Sequence, residues 1–201
     1  MQSGLTLFPS PIPMAHQLWK QILSSGDIAI DATMGNGKDT LMLAKHLTSL
    51  GGGTVFSFDI QEKALYNTEA LLKEHLPSYQ TIVHLLLRSH AEFPENIQPE
   101  SVKLIVYNLG YLPGGNKTLT TMTATTLQSV EKALSLLCHV GVLSLTCYPG
   151  HPEGKKEWHA LQALLTNLPK NLYCVTHHQW MNRHDSPTLI LIQKGLHPFS
   201  S

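Results

Sequence analysis

Short runs of apolar and β-branched residues alternate along the chain with longer stretches of helical periodicity, and this alternation constrains the fold most. The strand-like runs span residues 27–33, 54–60, 81–87, 103–109, 141–148, 172–179 and 188–194. Helical patterns cover residues 39–50, 62–76 and 119–137, and an amphipathic helix at about 13–25 precedes the first strand. This order predicts an α/β fold, with a doubly wound, mostly parallel seven-stranded sheet and helices on both faces.

The last two strand-like runs are separated only by a short segment with the sequence NRHDSP. That segment is too short for a helical crossover, so these two strands should be antiparallel neighbours. The 201 residues show no internal repeat and no linker. We therefore expect one domain over residues 1–201.

Composition limits the class of protein. Hydrophobic side chains make up 42% of the chain and charged ones 14%, which excludes a disordered chain or a coiled coil. No apolar run reaches the roughly 18–20 residues that a membrane helix needs, and residues 1–14 lack the pattern of a secretory signal. The expectation is a cytoplasmic protein without membrane contact. Three widely spaced cysteines and two histidines on opposite faces of a strand predict no bound metal.

Charge is divided unevenly between the two halves of the chain. Residues 1–100 carry six Lys/Arg against ten Asp/Glu, whereas residues 101–201 carry eight against four. A basic C-terminal half can meet phosphate groups of a nucleic acid, although uneven halves also arise without function. The candidates for RNA contact are Lys117, Lys155, Lys156 and Arg183, in or beside loops at the carboxyl edge of the sheet.

The sequence DATMGNGKDT, from Asp31 to Thr40, joins the first strand to the following helix. Its glycines, Gly35 and Gly37, allow a tight turn and a close approach to the backbone, and a helix N-terminus offers free N–H groups. Asp59 ends the second strand, 22 residues beyond Gly37. An acidic residue at that spacing suits the two hydroxyls of a ribose, so the segment predicts a nucleotide-like ligand.

Three ligand classes compete for this loop. A P-loop needs Ser or Thr after the Gly-Lys pair, but Asp39 stands there and would repel phosphate. A dinucleotide site needs a third small residue where this chain has Thr40. Asp31 at the mouth of the loop suits a cationic ligand better than a pyrophosphate. S-adenosylmethionine carries a sulfonium and an ammonium group, so it is favoured as the ligand. A dinucleotide remains the alternative.

Ser89 and His90 follow the third strand. In this fold class the adenine of the ligand lies against the loop after that strand, so both residues are candidates to contact it. The alternative for Ser89 is an ordinary N-cap of a short helix.

A second unusual segment, NLGYLPGGNK, begins with Asn108 directly after an apolar strand. It is similar to the Asp/Asn/Ser-Pro-Pro-Tyr/Phe loop of methyltransferases that act on amino groups, with Asn108 first and Tyr111 last. An amine attacks a methyl sulfonium only as a free base, and an Asn oxygen can accept its hydrogens and aim its lone pair. An aromatic ring can stack on an extruded base. The alternative is a structural turn.

A third segment, CYPGHPEGKKE over residues 147–157, reads as a loop after the fifth strand. His151 within it can act as a base, orient the substrate or bind phosphate. The alternative is a histidine that only makes a structural hydrogen bond.

These segments, together with FDIQEKAL and SPTLILIQK, resemble the bacterial putative rRNA methylase family, in order from about Met14 to Lys194. The family's characterised members methylate the wobble uridine of transfer RNA, so the resemblance implies a class I, Rossmann-like, S-adenosylmethionine-dependent methyltransferase fold. It implies conversion of 5-aminomethyl-2-thiouridine to 5-methylaminomethyl-2-thiouridine in a tRNA anticodon stem-loop. The implied cofactor-binding residues, with Asp31 added from the loop chemistry, are Asp31, Met34, Gly35, Asn36, Gly37, Lys38, Asp59, Gln61, Ser89 and His90.

The same resemblance places Asn108 and Tyr111 against the substrate amine. Further substrate-binding candidates are Pro113, Gly114, Lys117, His151, Lys155, Lys156 and Arg183. The alternatives are methylation of ribosomal RNA or of a small molecule, and a non-catalytic nucleotide-binding or RNA-binding module. The intact acids and glycines of the first loop favour an enzyme. The sequence leaves the oligomeric state open, with a homodimer among the expectations.

Overall fold

One mixed sheet organises the part of the chain that the computed structural model describes, residues 10–111, 114, 120–183 and 185–195. Its strands lie in the spatial order β3-β2-β1-β4-β5-β7-β6. Their bounds are β1 Ile28–Asp31, β2 Thr54–Asp59, β3 Val83–Leu87, β4 Val102–Asn108, β5 Leu137–Cys147, β6 Tyr173–His178 and β7 Thr188–Lys194. Strands β1 to β5 are parallel, and β7 runs antiparallel to both of its neighbours. This arrangement confirms the predicted α/β class and the antiparallel final strands.

Helices cover both faces of the sheet. One face carries α1 Pro11–Ile22, α2 Lys38–Ser49 and α3 Glu62–His75, and the other carries α4 Thr123–Leu136 and α5 Pro152–Thr166. A 3₁₀ turn at Tyr79–Thr81 precedes β3. No described helix is both long enough and apolar enough to cross a membrane.

The central strand β4 shows why the sequence forms such a sheet. Leu104 and Val106 pack towards α1, α2 and α3, whereas Ile105 and Tyr107 pack towards α4 and α5, and all four are fully buried. A strand covered on both faces needs apolar residues at every position. The first polar side chain after this run, Asn108, therefore marks the end of the strand and the edge of the sheet.

Several element boundaries differ from the sequence-based prediction, and the largest differences are at the end of α1 and at the starts of α4 and β5, where α4 begins at Thr123 rather than at residue 119. Helix α1 begins at Pro11, because proline is well suited to the first helical turn, and ends at Ile22 rather than near residue 25. Strand β5 begins at Leu137, four residues before the predicted start. The ladder with β4 shifts register there, and Val140 takes a left-handed φ of 53°. A bulge of this kind interrupts the regular pattern from which a strand is predicted.

Helix α5 was not predicted, and treating residues 147–157 as a loop was wrong beyond Gly150. The helix begins at Pro152, and the His151 ring caps it by accepting the backbone N–H of Gly154 at 3.1 Å. Its buried face includes Leu161 and Leu165, four residues apart. Proline in the first turn followed by this spacing was a readable signal. Lys155 and Lys156 therefore lie on a helix rather than in a loop.

Candidate functional site

The glycine-rich segment between β1 and α2 is a tight loop packed against α3. Gly35 and Gly37 both have positive φ angles, 50° and 77°. A Cβ atom at Gly37 would lie 2.8 Å from the side chain of Thr68 and 2.9 Å from its Cα. Glycine is thus needed at position 37 for two reasons, the positive φ angle and the close packing of the loop against α3.

Side chains of α3 hold the peptide groups of this loop in place. Thr68 donates its hydroxyl to the carbonyl of Gly35 at 3.1 Å, and Asn67 donates its amide to Asn36 Oδ1 at 3.0 Å. These bonds fix the loop that the sequence assigned to the cofactor, so its donors are held in position before any ligand arrives.

Asp59 joins the glycine loop to the start of α3. One carboxylate oxygen accepts the backbone N–H of Gly35 at 3.1 Å and the other accepts that of Gln61 at 3.0 Å. Burial raises the pKa of Asp59, and the backbone hydrogen bonds partly oppose that rise. A carboxylate has about four acceptor sites in all, so the Asp59 side chain can still accept a ligand hydroxyl.

The other predicted cofactor residues near this loop differ in their exposure and in their hydrogen bonds. The side chain of Met34 is buried in the protein core, and its backbone N–H donates to the carbonyl of Phe58 at 2.9 Å. Lys38 is the first residue of α2 and is exposed. Ser89 accepts the backbone N–H of Ala91 at 3.2 Å, so it stabilises a turn rather than capping a helix.

His90 lies at the carboxyl edge with its ring mostly buried. Its Nε2 atom is buried and has no hydrogen-bond partner among the described residues. Burial lowers the pKa of His90, while a hydrogen bond with the backbone of Ala32 opposes that change. The ring therefore stays neutral at neutral pH, and a neutral ring with an unpaired nitrogen can bind a polar edge of a ligand.

Asp31 is the most deeply buried acid of the site. Its carboxylate accepts the hydroxyl of Thr40 at 2.7 Å and the backbone N–H of Thr33 at 3.2 Å. Burial, followed by the charge of Asp39, raises the pKa of Asp31 to about 7, although both hydrogen bonds act in the opposite direction. Thr40 Oγ1 also lies 2.9 Å from Ser57 Oγ, so the Ser57 hydroxyl can donate to it.

Asn108 is held by two hydrogen bonds, neither of which uses its side-chain oxygen. Its backbone N–H donates to Thr33 Oγ1 at 2.7 Å, and its side-chain amide donates to Asp39 Oδ2. Because a carboxylate only accepts hydrogen bonds, Asp39 fixes which end of the Asn108 amide is the nitrogen. The other end, Oδ1, is buried and lacks a partner within the described part of the chain.

A histidine from α1 completes this arrangement. His16 Nε2 lies 2.6 Å from Asp39 Oδ1, so Asp39 connects the first helix to the end of β4. Tyr148, at the end of β5, lies nearby, and burial together with the charge of Asp39 raises its pKa to about 12. Its phenol therefore stays protonated at neutral pH.

The segment after Asn108 is tied back to α5. Gly110 donates its N–H to Thr121 Oγ1 at 3.0 Å, and the Thr121 hydroxyl donates to the buried Glu157 at 3.0 Å. Between these anchors, Tyr111 is 41% exposed, with its ring centroid 6.0 Å from that of His151. The structure thus brings Tyr111 and His151 together at the mouth of the site.

The remaining predicted substrate residues do not form one group. Pro113 and Lys117 lie outside the described residues, and Gly114 has a positive φ of 76° with open space around it. Lys155 and Arg183 line a common cavity, whereas Lys156 lies 3.7 Å from Glu153.

Sequence reasoning missed His16 and Tyr148, and it used Asp39 only to argue against a P-loop. One signal was present for Asp39, because a carboxylate in the first turn of a helix beside the glycine loop already faces the site. A single histidine on an amphipathic helix carried no such signal. Among the described residues, no three His, Cys, Asp or Glu side chains are grouped so that they could hold a metal.

Comparisons with known proteins agree with this geometry. Residues 55–194 match the model of the family described as "Putative rRNA methylase". The chain is 38% identical over 187 residues to an Arabidopsis thaliana protein named tRNA (mnm(5)s(2)U34)-methyltransferase, chloroplastic, covering 90% of this chain and 68% of the relative.

Solved structures show the same likeness. A protein from Clostridium thermocellum, described as a putative rRNA methylase, has a TM-score of 0.86 and 33% identity, covering 94% of this chain and all of that one. A putative methyltransferase from Streptococcus mutans, solved in complex with SAH, has a TM-score of 0.80 and 33% identity, covering 94% of this chain and 99% of that one. The chain therefore belongs to the family described as "Putative rRNA methylase" and is an S-adenosylmethionine-dependent methyltransferase.

Proposed function

We propose that this enzyme methylates the primary amine of 5-aminomethyl-2-thiouridine at the wobble position of transfer RNA, giving 5-methylaminomethyl-2-thiouridine. The observation that carries the proposal is the buried Asn108 Oδ1 at the carboxyl end of β4, which has no hydrogen-bond partner among the residues that the structure describes. A neutral acceptor suits an uncharged amine. The name of the Arabidopsis relative supplies the substrate class.

The described residues fit the cofactor. Asp59 can still accept a hydroxyl of the ribose, and His90 Nε2, which has no partner among the described residues, suits a polar edge of the adenine. Asp31, with a pKa near neutrality, would ionise more readily beside a cation. When bound, S-adenosylmethionine supplies a methyl group made electrophilic by its sulfonium.

Asn108 would orient the attacking amine. An alkylamine is mostly protonated at neutral pH, and only the neutral form has a free lone pair. Desolvation at the site favours the neutral form, and Asn108 Oδ1 would accept one of its hydrogens. With one hydrogen held by Asn108, the amine would keep its lone pair free to accept the methyl group. The resulting secondary ammonium loses its proton to solvent.

His16 and Asp39 act as positioning residues in this scheme, because they reach the amine only through Asn108. The 2.6 Å contact from His16 holds Asp39, and Asp39 in turn holds the Asn108 amide nitrogen. A fixed amide presents its oxygen in one direction, which is the property that orientation of a lone pair requires. Tyr111, partly exposed at the mouth, would stack on the extruded base.

Methylation of defined RNAs tests the proposed reaction. Purified enzyme and isotope-labelled S-adenosylmethionine are incubated with transfer RNA that carries 5-aminomethyl-2-thiouridine, followed by mass spectrometry of the nucleosides. The expected product is labelled 5-methylaminomethyl-2-thiouridine. Fully modified transfer RNA and ribosomal RNA serve as parallel substrates, and label found in ribosomal RNA instead would refute the proposed substrate.

Single-turnover kinetics test the role of Asn108. Asn108→Ala should slow methyl transfer by about tenfold to a hundredfold or more while S-adenosylmethionine affinity stays near wild type, because the Asn108 oxygen binds the substrate amine and not the cofactor. Asn171→Ala, an exposed asparagine far along the chain from the site, is the matched control. Normal turnover by Asn108→Ala, together with a lower melting temperature, would make Asn108 structural only.

A further inference from the structure

A second concave site lies beside the catalytic edge, between α5 and the turn that joins β6 to β7. It is a cavity of about 220 Å³. Its lining is rich in cationic, aromatic and hydroxyl side chains, including Lys155, Trp158, Trp180, Arg183, Ser186 and Thr188. No step proposed above for the methyl transfer uses this cavity.

The cavity is small compared with the usual site for a whole cofactor. Sites for drug-sized ligands usually measure about 300–1,000 Å³, and 220 Å³ is below that range. At about 30 Å³ per water molecule, the cavity holds about seven waters. A phosphate with its adjoining sugar atoms is a ligand on this scale.

Two of the residues that line the cavity are cations. In the described part of the chain, neither Lys155 nor Arg183 takes part in an ion pair within 4.0 Å, whereas the neighbouring Lys156 lies 3.7 Å from Glu153. The Arg183 guanidinium carbon lies 4.6 Å from the centre of the Trp180 ring. Stacking on the indole holds the guanidinium in one plane while its N–H donors stay available. Asp185 also lines the cavity. The two cations and this one carboxylate give the cavity lining a net positive formal charge.

The cavity is connected to the catalytic edge by a short, packed segment. Pro149 lines it and directly follows Tyr148, the residue whose pKa responds to Asp39. A Cβ atom at Gly150 would lie 3.3 Å from the carbonyl of Asp185, so the loop before α5 packs against the β6–β7 turn. Thr146, three residues before Pro149, pairs with Asn108, so the cavity lies at the same edge of the sheet as the proposed amine site.

We propose that the cavity binds a backbone phosphate of the substrate RNA next to the methylated nucleotide, with Lys155 and Arg183 as its ligands and Trp180 as the support for Arg183. This inference rests on the proposed RNA substrate. Lysine provides a point charge and arginine a planar fork of donors, a combination suited to a phosphodiester.

Salt-dependent binding to an anticodon stem-loop RNA tests the proposal. Removing one cation that neutralises a phosphate in a single-stranded region should lower the slope of log affinity against log salt by about 0.7. Lys155→Ala and Arg183→Ala should each show that decrease and bind about tenfold or more weakly. Trp180→Leu should weaken binding with less change in slope, because it removes the support and keeps the charge. Lys170→Ala removes an equal charge from a different cavity and should leave the slope unchanged.

Three outcomes separate the site from the reaction. Wild-type affinity and slope in both Lys155→Ala and Arg183→Ala would overturn the phosphate site, even if the enzyme methylates transfer RNA normally. A reduced slope in these variants, with a wild-type enzyme that methylates no transfer RNA, would support the site and refute the proposed substrate. If inorganic phosphate raises the melting temperature of the wild type but not of Lys155→Ala, while RNA slopes stay equal, the site binds a free small anion and the RNA assignment is wrong.

Discussion

Replacing Asp31 by Asn should change how the stability of the protein depends on pH. The carboxyl of Asp31 is buried, with a pKa raised from its ordinary value of 3.8 to about 7. The folded state therefore keeps a proton that the unfolded chain releases between these two values. It follows that the wild-type free energy of unfolding falls as pH rises from about 4 to about 7 and levels off above that range.

The structure gives the size of this effect. A gap of about three pKa units at about 1.36 kcal/mol per unit corresponds to about 4 kcal/mol. Asn does not ionise, so Asp31→Asn should avoid this cost at high pH. Its amide can accept the N–H of Thr33 and donate to Thr40, whose hydroxyl then turns to donate to Ser57. The variant should therefore retain the local hydrogen bonds.

Urea unfolding of both proteins at about pH 5 and about pH 8 measures the difference. Asp31→Asn should gain about 2.5–3 kcal/mol relative to wild type between these two conditions, because only the two pH units between 5 and the folded pKa of about 7 contribute, at about 1.36 kcal/mol each. At about 2–4 °C per kcal/mol for a chain of this size, its relative melting temperature should rise by about 5–10 °C. Asp27→Asn, whose carboxylate makes an exposed bond to Ser24, is the matched control. A stability difference between Asp31→Asn and wild type that is the same at both pH values would refute the reasoning.

Four further predictions follow from the same site. S-adenosylmethionine should bind wild type more tightly as pH rises from about 6 to about 8, because a cation stabilises ionised Asp31, and calorimetry should find this trend flattened in Asp31→Asn. Asp59→Ala should weaken cofactor binding by about tenfold to a hundredfold, and unchanged affinity in calorimetry would remove Asp59 from the site. His16→Ala should lower turnover with little change in cofactor affinity, and His16→Gln should recover part of the lost turnover. Equal rates for wild type and both variants would contradict the positioning role. In urea unfolding, Gly37→Ala should lower the free energy of unfolding by at least about 2 kcal/mol more than Gly26→Ala. Gly26 is the control because it has a similar φ but no atom within 4 Å of its Cβ position. Equal losses would contradict the packing argument.

Local patterns predicted most of the sheet. The run at residues 188–194 coincides with β7 because β7 pairs with a neighbour on each side and its sequence is apolar at most positions. The start of β5 was missed because Gly141 sits where a Cβ would lie 2.9 Å from the carbonyls of Cys138 and Val102, a tertiary constraint. Helix α5 was missed because its first turn contains Gly154 and two lysines, which mask the apolar face beginning at Trp158.

In the candidate site too, local patterns identified some residues, and others depend on contacts that form only in the folded chain. Asn108 and Asp59 could be found because each ends an apolar strand, and a parallel sheet gathers such residues at one edge. The contact between Asp39 and Asn108 joins residues 69 positions apart, and that between His16 and Asp39 joins two helices. Contacts of this range depend on the assembled fold. The glycine loop was correctly located, but the role of Gly37 in packing against Thr68 is visible only in three dimensions.

The position of α1 has a consequence for folding during synthesis. Its face, including the buried Trp19, packs on β4, β5 and β7, so its docking surface is finished only when the chain reaches β7 at residues 188–194. At about 5–20 residues per second, α1 waits roughly 10–30 s after its own synthesis. During that wait its apolar face is open to chaperones, and His16 has no fixed place beside Asp39. The ribosome therefore makes the helix that holds Asp39 beside Asn108 well before β5 and β7, the strands that complete its docking surface.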